Sequence, residues 1–485
     1  MQSLLPKITK KGALAFTTSL LTLGMVIAGC TSPVTSTSST SNTIPNTNTS
    51  MSPVGITDAP SDQILAVSLT LNSMVLTDST GKVTTNLLPA SGITFEATHL
   101  DAVQEPLFSP AIPEDIYVSV ALTYSNAQVA YIDSTTHTVD LVTATLANTS
   151  QTITFSAPVT INNTTTSLLV DFLVANSVTI SGSTVTVTPD FVVKAVPIPN
   201  TPTSGINGLL SGHKGKVTAI SASTNSFTLT DPSGTAHTIY VSAATVYQGI
   251  SNFSALQVNA LVEVDTITVN GSNTNSLPPG SLLALRVDVE DIGATPKKLL
   301  LGPVTSVTGT PATSFNMLIR QLVGNSSATA VETVDVSVTG STNFLLPPRY
   351  AVFATALPFT PSFTASTIFA GQHVAVVTTN VTSGAATATT VLLQPQTITG
   401  TISAPPTTSG GYTVYTVTLP SGSWLATLTG KTTVMVYTNN LVVPLNTVTP
   451  AASVVMRFNG YLFNDSGTLR MLACLQAGPP GTPII

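Results

Sequence analysis

The chain has 485 residues, of which 42% are hydrophobic and only 7% charged, with a formal net charge of −6. That length and apolar content suffice for several cores, while the low charge leaves Thr, Ser and Asn to fill the polar positions. A scattered acidic balance argues against nucleic acid and an anionic membrane surface as direct partners, and two cysteines cannot supply a disulfide framework.

In chain order, Lys7, Lys10 and Lys11 form a basic start, and Gly12 to Ala28 is an apolar run without charge. Thr17, Thr18, Ser19 and Thr22 interrupt that run, so it reads as a secretory leader over 1–29 rather than a membrane span. Ile27-Ala28-Gly29-Cys30 closes it and resembles the lipobox of bacterial lipoproteins. The resemblance implies that Cys30 becomes the lipid-modified N-terminus, with the membrane as its partner through that anchor. Several acyl chains would hold it stably, since each buried methylene contributes about 0.8 kcal/mol. By the same resemblance, Thr31 after the cysteine implies the outer membrane. Residues 30–52 are dominated by Ser, Thr, Asn and Pro, too poor in apolar side chains to offset their ordering entropy, and read as a flexible tether.

Residues 53–198 carry short strands with period-two alternation. "AVSLTLN" sets Val67, Leu69 and Leu71 against Ser68 and Thr70, and Val118, Val120, Leu122 and Tyr124 repeat the alternation. Asp78-Ser79-Thr80-Gly81 and Ser181-Gly182 mark turns. The spacing predicts an antiparallel sandwich. "GITDAPSDQILAVSLTLNSMVLTDSTG" and "IPEDIYVSVALTYSNAQV" resemble a family known as domain of unknown function 4382, which occurs in bacterial lipoproteins. Ile116 stands where that family has glycine before tyrosine. The resemblance implies an Ig-like or transthyretin-like sandwich and no established activity.

"PIPNTPTSG" breaks the pattern, and 199–211 read as a linker. Beyond it the chain repeats: "GKVTAI" at Gly215, "GPVTSV" at Gly302 and "GTISAP" at Gly400 each open a set of five strands. Closure into small barrels would remove exposed strand edges, which predicts three OB-like β-barrels over 212–293, 299–395 and 396–476, with a tail at 477–485. These units resemble a second family, domain of unknown function 5666, which implies the same barrel fold.

The residues that could carry chemistry are sparse. Among the five histidines no closely spaced pair of the HExxH kind occurs, so no metal site and no cofactor is expected. His99 near Asp101, and His137 between Asp133 and Asp140, read as solvated turns, and His237 in "GTAHTIYV" reads as a solvent-facing strand residue. "GHKGKVT" fails as a phosphate loop, because Leu210 and Val217 occupy its required glycine and hydroxyl positions. Glu96, Glu105 and Glu114 do not sit in strongly apolar sequence. Asp58 and Asp62 could offer oxygens to a calcium ion, but two acids fall short of six ligands, and Asp58 reads as a turn residue before Pro60. Cys474 sits in "MLACL" and reads as a buried strand thiol.

The third barrel concentrates aromatic side chains, among them Tyr412, Tyr437 and Trp424, the chain's one tryptophan. Alternating aromatics build cores, but rings left exposed stack on sugars, and Trp424 just past the Ser421-Gly422 turn is the candidate contact. The expected function is a non-enzymatic, lipid-anchored protein of the cell envelope with a structural or adhesive role. The alternatives are a glycan-binding surface lipoprotein, with polysaccharide as partner, and an accessory subunit bound to another envelope protein.

Overall fold

Period-two runs become strands throughout the residues that the computed structural model describes. These are 43–44, 48–58, 63–100, 103–133, 135–162, 166–198, 209–270, 276–324, 331–444 and 446–479. Regular structure among them is almost entirely β, and Asn42–Ile485 forms one compact unit.

The first module is a two-sheet sandwich. Its principal strands are β1 (Val54–Asp58), β2 (Ile64–Asp78), β3 (Ile93–Glu96), β4 (Glu105–Phe108), β5 (Asp115–Ile132), β6 (Ser150–Ile161), β7 (Thr166–Phe172) and β8 (Phe191–Pro197). One sheet runs β6-β5-β2-β3 and the other β8-β7-β1-β4. The sequence predicts antiparallel pairing throughout, yet β7 runs parallel to β1, with Leu168 opposite Val54. Consecutive β1 and β2 lie in different sheets, so no hairpin dictates the direction of β1 beside its neighbours. Val67, Leu69 and Leu71 point into the sandwich core as their alternation requires. The opposite side of β2 is covered too. Leu65 and Ala66 join a second core with Leu318, Leu425 and Trp424, and Ser68 and Thr70 are buried, Thr70 bonding the Thr94 hydroxyl at 2.8 Å.

Three barrels follow on one plan. The first uses β9 (Leu209–Ser221), β10 (Ser226–Thr230), β11 (Ala236–Tyr240), β12 (Leu261–Thr268) and β13 (Leu282–Asp291). In the second these become β14 (Lys298–Gly309), β15 (Ala312–Ile319), β16 (Glu332–Ser337), β17 (His373–Thr378) and a split fifth strand, β18 (Ala385–Thr387) and β19 (Thr390–Leu393). The third uses β20 (Gln396–Ile402), β21 (Tyr412–Thr418), β22 (Thr433–Thr438), β23 (Val455–Asp465) and β24 (Thr468–Ala477). In each, the first strand pairs antiparallel with the second and the fourth. A parallel pair between the third strand and the fifth closes each barrel. This is the five-stranded Greek-key barrel that the repeats predict.

The recurrent glycine has a steric reason. The first strand of each barrel bends there, passing from the fourth strand to the second. A Cβ on Gly215 would lie 2.7 Å from the Thr230 carbonyl oxygen, and one on Gly302 or Gly400 would clash with the carbonyl of Leu318 or Thr418. Only glycine permits that approach.

Two expected boundaries shift. Leu209–Ser211, expected as linker, belongs to β9, and the Ser211 N–H bonds the Gln104 carbonyl of the sandwich at 2.7 Å. Thr49–Met51, expected as tether, forms a short strand against Ala111–Pro113, and the N–H of Ile44 bonds Val83. Backbone pairing and the burial of Leu210 in the barrel core and Ile44 in the sandwich core hold both. The modules are fused rather than strung out. Each large apolar side chain buried in the shared core contributes about 1.5–3 kcal/mol, so a cut near residue 200 would expose Leu318, Leu425 and Trp424.

Candidate functional site

In a chain so poor in charge, the location of ionic groups is informative. Many of them turn inward, to where the sandwich meets the barrels. The turn after β3 places His99 between two carboxylates, with Nδ1 3.1 Å from Glu96 Oε2 and Nε2 3.2 Å from Glu105 Oε2. Glu96 is fixed in turn, because its Oε1 accepts from the Val67 N–H, the Thr98 N–H and the Thr98 hydroxyl. Burial works against a charged imidazole, yet Glu105 and Glu96 together raise His99 to about 9. Burial likewise opposes ionisation of Glu96, but His99 and Arg320 hold its carboxyl below the usual range.

The first barrel faces this pair with a second network. Lys214 on β9 bonds Glu263 on β12, and Arg349 from the second barrel lies 3.4 Å from the other oxygen of Glu263. Arg286 on β13 meets Asp265 at 2.8 Å and Asp288 at 3.3 Å. Desolvation of Glu263 is outweighed by Lys214, Arg349 and Arg286, which keep it ionised. Glu290 goes the other way. Burial, which the pull of Lys214 does not offset, and the nearby charges of Glu263 and Asp288 push it up to about 7. A small cavity at the junction is lined by His99, Glu105, Lys214, Gln321, Arg349 and His373. His373 binds the Pro395 carbonyl through Nδ1 at 3.1 Å, and burial with the nearby Arg320 pulls it down to about 3, so it is neutral.

One end of the first barrel gathers His213 on β9, His237 on β11 and Asp231 in the turn between β10 and β11. Asp231 Oδ1 accepts from the Ser233 hydroxyl at 2.6 Å and the Thr235 N–H at 2.9 Å, which orients its carboxylate. Asp231 Oδ2 lies 3.0 Å from His237 Nε2 and 3.8 Å from His213 Nε2. The two rings stand edge to face, 4.7 Å apart. Among the described residues this is the group whose imidazole and carboxylate atoms lie within 4.8 Å of one another.

Several sequence expectations are corrected here. His99 is not a solvated turn residue, and Glu96 and Glu105 are buried beside it, because the barrels cover that edge of the sandwich. His237 does not face solvent: it shares the inward face of Ile239, and the alternation of β11 buries both. Asp58 is buried at the end of β1, where its Oδ1 accepts from the Val174 N–H at 3.2 Å. Asp62 and Asp101 lie outside the described residues, as does Cys30.

The candidate glycan contacts are spent on packing. Trp424 is 9% exposed and Tyr412 and Tyr437 are each 2% exposed. Trp424 opens a helix, α1 (Trp424–Thr429), and lies under the Arg320 guanidinium, 5.9 Å from its ring centroid. The Tyr412 hydroxyl donates to the carbonyls of Phe353 and Thr355 in the second barrel. Tyr437 packs on Phe359 at 5.0 Å and bonds Arg470. The loop between β16 and β17 lies over the aromatic end of the third barrel and leaves none of these faces for a sugar. Cys474 is a buried free thiol, pushed up to about 12 by burial.

The cluster on the first barrel was hidden for a plain reason. Its three members come from two strands and a turn, and only Asp231 and His237 are near in sequence, six residues apart. The shared parity of His237 and Ile239 was the available signal.

Residues 214–274, most of the first barrel, match a family described as a domain of unknown function, DUF5666. No curated protein matches the chain. Among solved structures the chain is similar to a glycoside hydrolase family 32 protein from Bifidobacterium adolescentis. That similarity is 10% identity over 88% of this chain and 67% of the other, with a TM-score of 0.13. So low a score carries no argument.

Proposed function

We propose that this chain is a non-enzymatic, lipid-anchored protein of the bacterial cell envelope, acylated on Cys30 at the outer membrane, with a structural or adhesive role. The observation that carries the reading is the junction at Ile27-Ala28-Gly29-Cys30, a basic and apolar leader ending at one cysteine before a Ser/Thr-rich stretch. The described structure takes up at Thr43, so the tether of this reading is the part of that stretch before it, shorter than 30–52. The likeness of 53–198 to the family known as domain of unknown function 4382 belongs to the same reading. Among the described residues no helix is long and apolar enough to cross a membrane.

The outer surface suits passive contact. β6 exposes Thr152, Thr154, Ser156 and Thr160 in alternation, a hydroxyl-rich face suited to polysaccharide or another envelope protein. Mass spectrometry of the mature N-terminal peptide tests the anchor. The expected peptide begins at Cys30 and carries acyl chains that are absent from the Cys30→Ala variant. A mature chain starting elsewhere, without lipid, would refute the reading.

A further inference from the structure

The geometry points to a binding site for one divalent first-row transition ion, zinc being the best fit, formed by His213, Asp231 and His237 at the end of the first barrel. Two imidazoles and one carboxylate are ligands that such ions accept, and three protein ligands leave a coordination position for water or an external group. Bonds of about 2.0–2.2 Å to a tetrahedral ion require ligand atoms about 3.3–3.6 Å apart. The observed separations from Asp231 Oδ2, 3.0 Å to His237 and 3.8 Å to His213, straddle that range. The two imidazole nitrogens lie within 4.8 Å of one another, so the rings must draw together as the ion binds.

His213 supplies the independent observation. Its side chain is 1% exposed, and neither ring nitrogen has a hydrogen-bond partner. A buried imidazole left without partners is destabilising, and native proteins rarely tolerate it. An ion held with Asp231 and His237 would give one of its nitrogens a partner. Asp231 is also arranged as a ligand, because the turn fixes Oδ1 through Ser233 and Thr235 and leaves Oδ2 facing both rings. Such outer bonds orient a ligand before the ion arrives.

Access exists on two sides. Asp231 and Ser233 line a cavity shared with His99, Glu105 and Arg320, and His237 lines a second cleft with Tyr240 and Met51. The site is independent of the lipid anchor, so failure of either proposal leaves the other standing.

The full chain, stripped with a chelator, is titrated with Zn²⁺ and separately with Co²⁺. The expected result is one ion bound per chain, visible-region Co²⁺ absorption bands and a raised thermal midpoint. His213→Ala removes a buried ring packed on His237 and should lower the metal-free midpoint through the cavity it leaves, so its ion affinity is read at a temperature where the metal-free variant is folded. It should also weaken ion binding by more than the roughly 100-fold seen for outer-shell changes. His213→Gln, which keeps more of the volume, and His237→Gln should weaken binding similarly. No stoichiometric uptake of either ion overturns the proposal. Unchanged affinity in any folded variant does so as well.

Discussion

The first and third barrels share a strand order, a parallel closing pair and a bend glycine, yet they face their neighbours with opposite chemistry. The first presents Lys214, Glu263, Arg286 and the His213–Asp231–His237 group, and Arg349 of the second barrel reaches across to Glu263. The third presents Tyr412, Tyr437, Tyr461 and Phe463, held by ring packing against Tyr350 and Phe359. One backbone plan therefore serves two kinds of interface. Closure and the glycine bend specify the barrel, while side chains at its ends specify what the barrel meets.

The aromatic side of the comparison should show the largest effect. Trp424→Ala removes the largest side chain from the core shared by the third barrel and the sandwich, with an expected loss of about 3–5 kcal/mol by chemical denaturation. A change below about 1 kcal/mol would mean that the ring is not core and would reopen a ligand role for it.

On the ionic side, His99→Gln leaves Glu96 and Glu105 buried without their cation and should cost about 3 kcal/mol at pH 7. The pH dependence has a definite sign. His99 binds its proton more tightly when folded, at about 9, than an exposed histidine does at about 6.5. Its contribution is therefore full below about pH 6.5 and is lost as pH rises through about 9. Urea midpoints between pH 6 and 10 should fall in the wild type, and the part due to His99 should vanish in the variant.

The shared frame can be broken separately. Gly215→Ala and Gly400→Ala force a methyl group against the second strand and should each cost about 1–3 kcal/mol. Equal costs in an ionic and an aromatic barrel would support one steric rule for both. A neutral result in either would show that its bend can relax.

The smallest effect concerns Glu290, which is pushed up to about 7 by burial and like charge. Its penalty grows as pH rises from about 4.5 to 7, so Glu290→Gln should stabilise the chain by about 1–2 kcal/mol at pH 8. The gain should vanish at pH 4, a contrast that thermal melting at the two values would reveal.

The β class, the three repeats and the bend glycines were legible because alternation and recurrence are local properties of sequence. Gly215, Gly302 and Gly400 announced the barrels before any contact was known. The parallel partner of β1 was not legible, since Leu168 and Val54 meet only after the chain has crossed the sandwich. His99 was misread because its carboxylate partners and their cover come from different modules. For Trp424 the sequence left core packing and sugar contact both open, because the guanidinium that covers the ring comes from the distant residue Arg320. Local pattern reported the strands, and long-range contact decided which side chains function as surface.

Native-state amide hydrogen exchange, resolved by segment and corrected for intrinsic rates, compares the two interfaces directly. Between pH 7 and 9.5 the account predicts lost protection in 98–108 and 209–215, where His99 holds the ionic junction. It predicts unchanged protection in 412–418 and 458–463, where rings hold the other. Equal loss in both regions, or loss confined to the aromatic one, would contradict it.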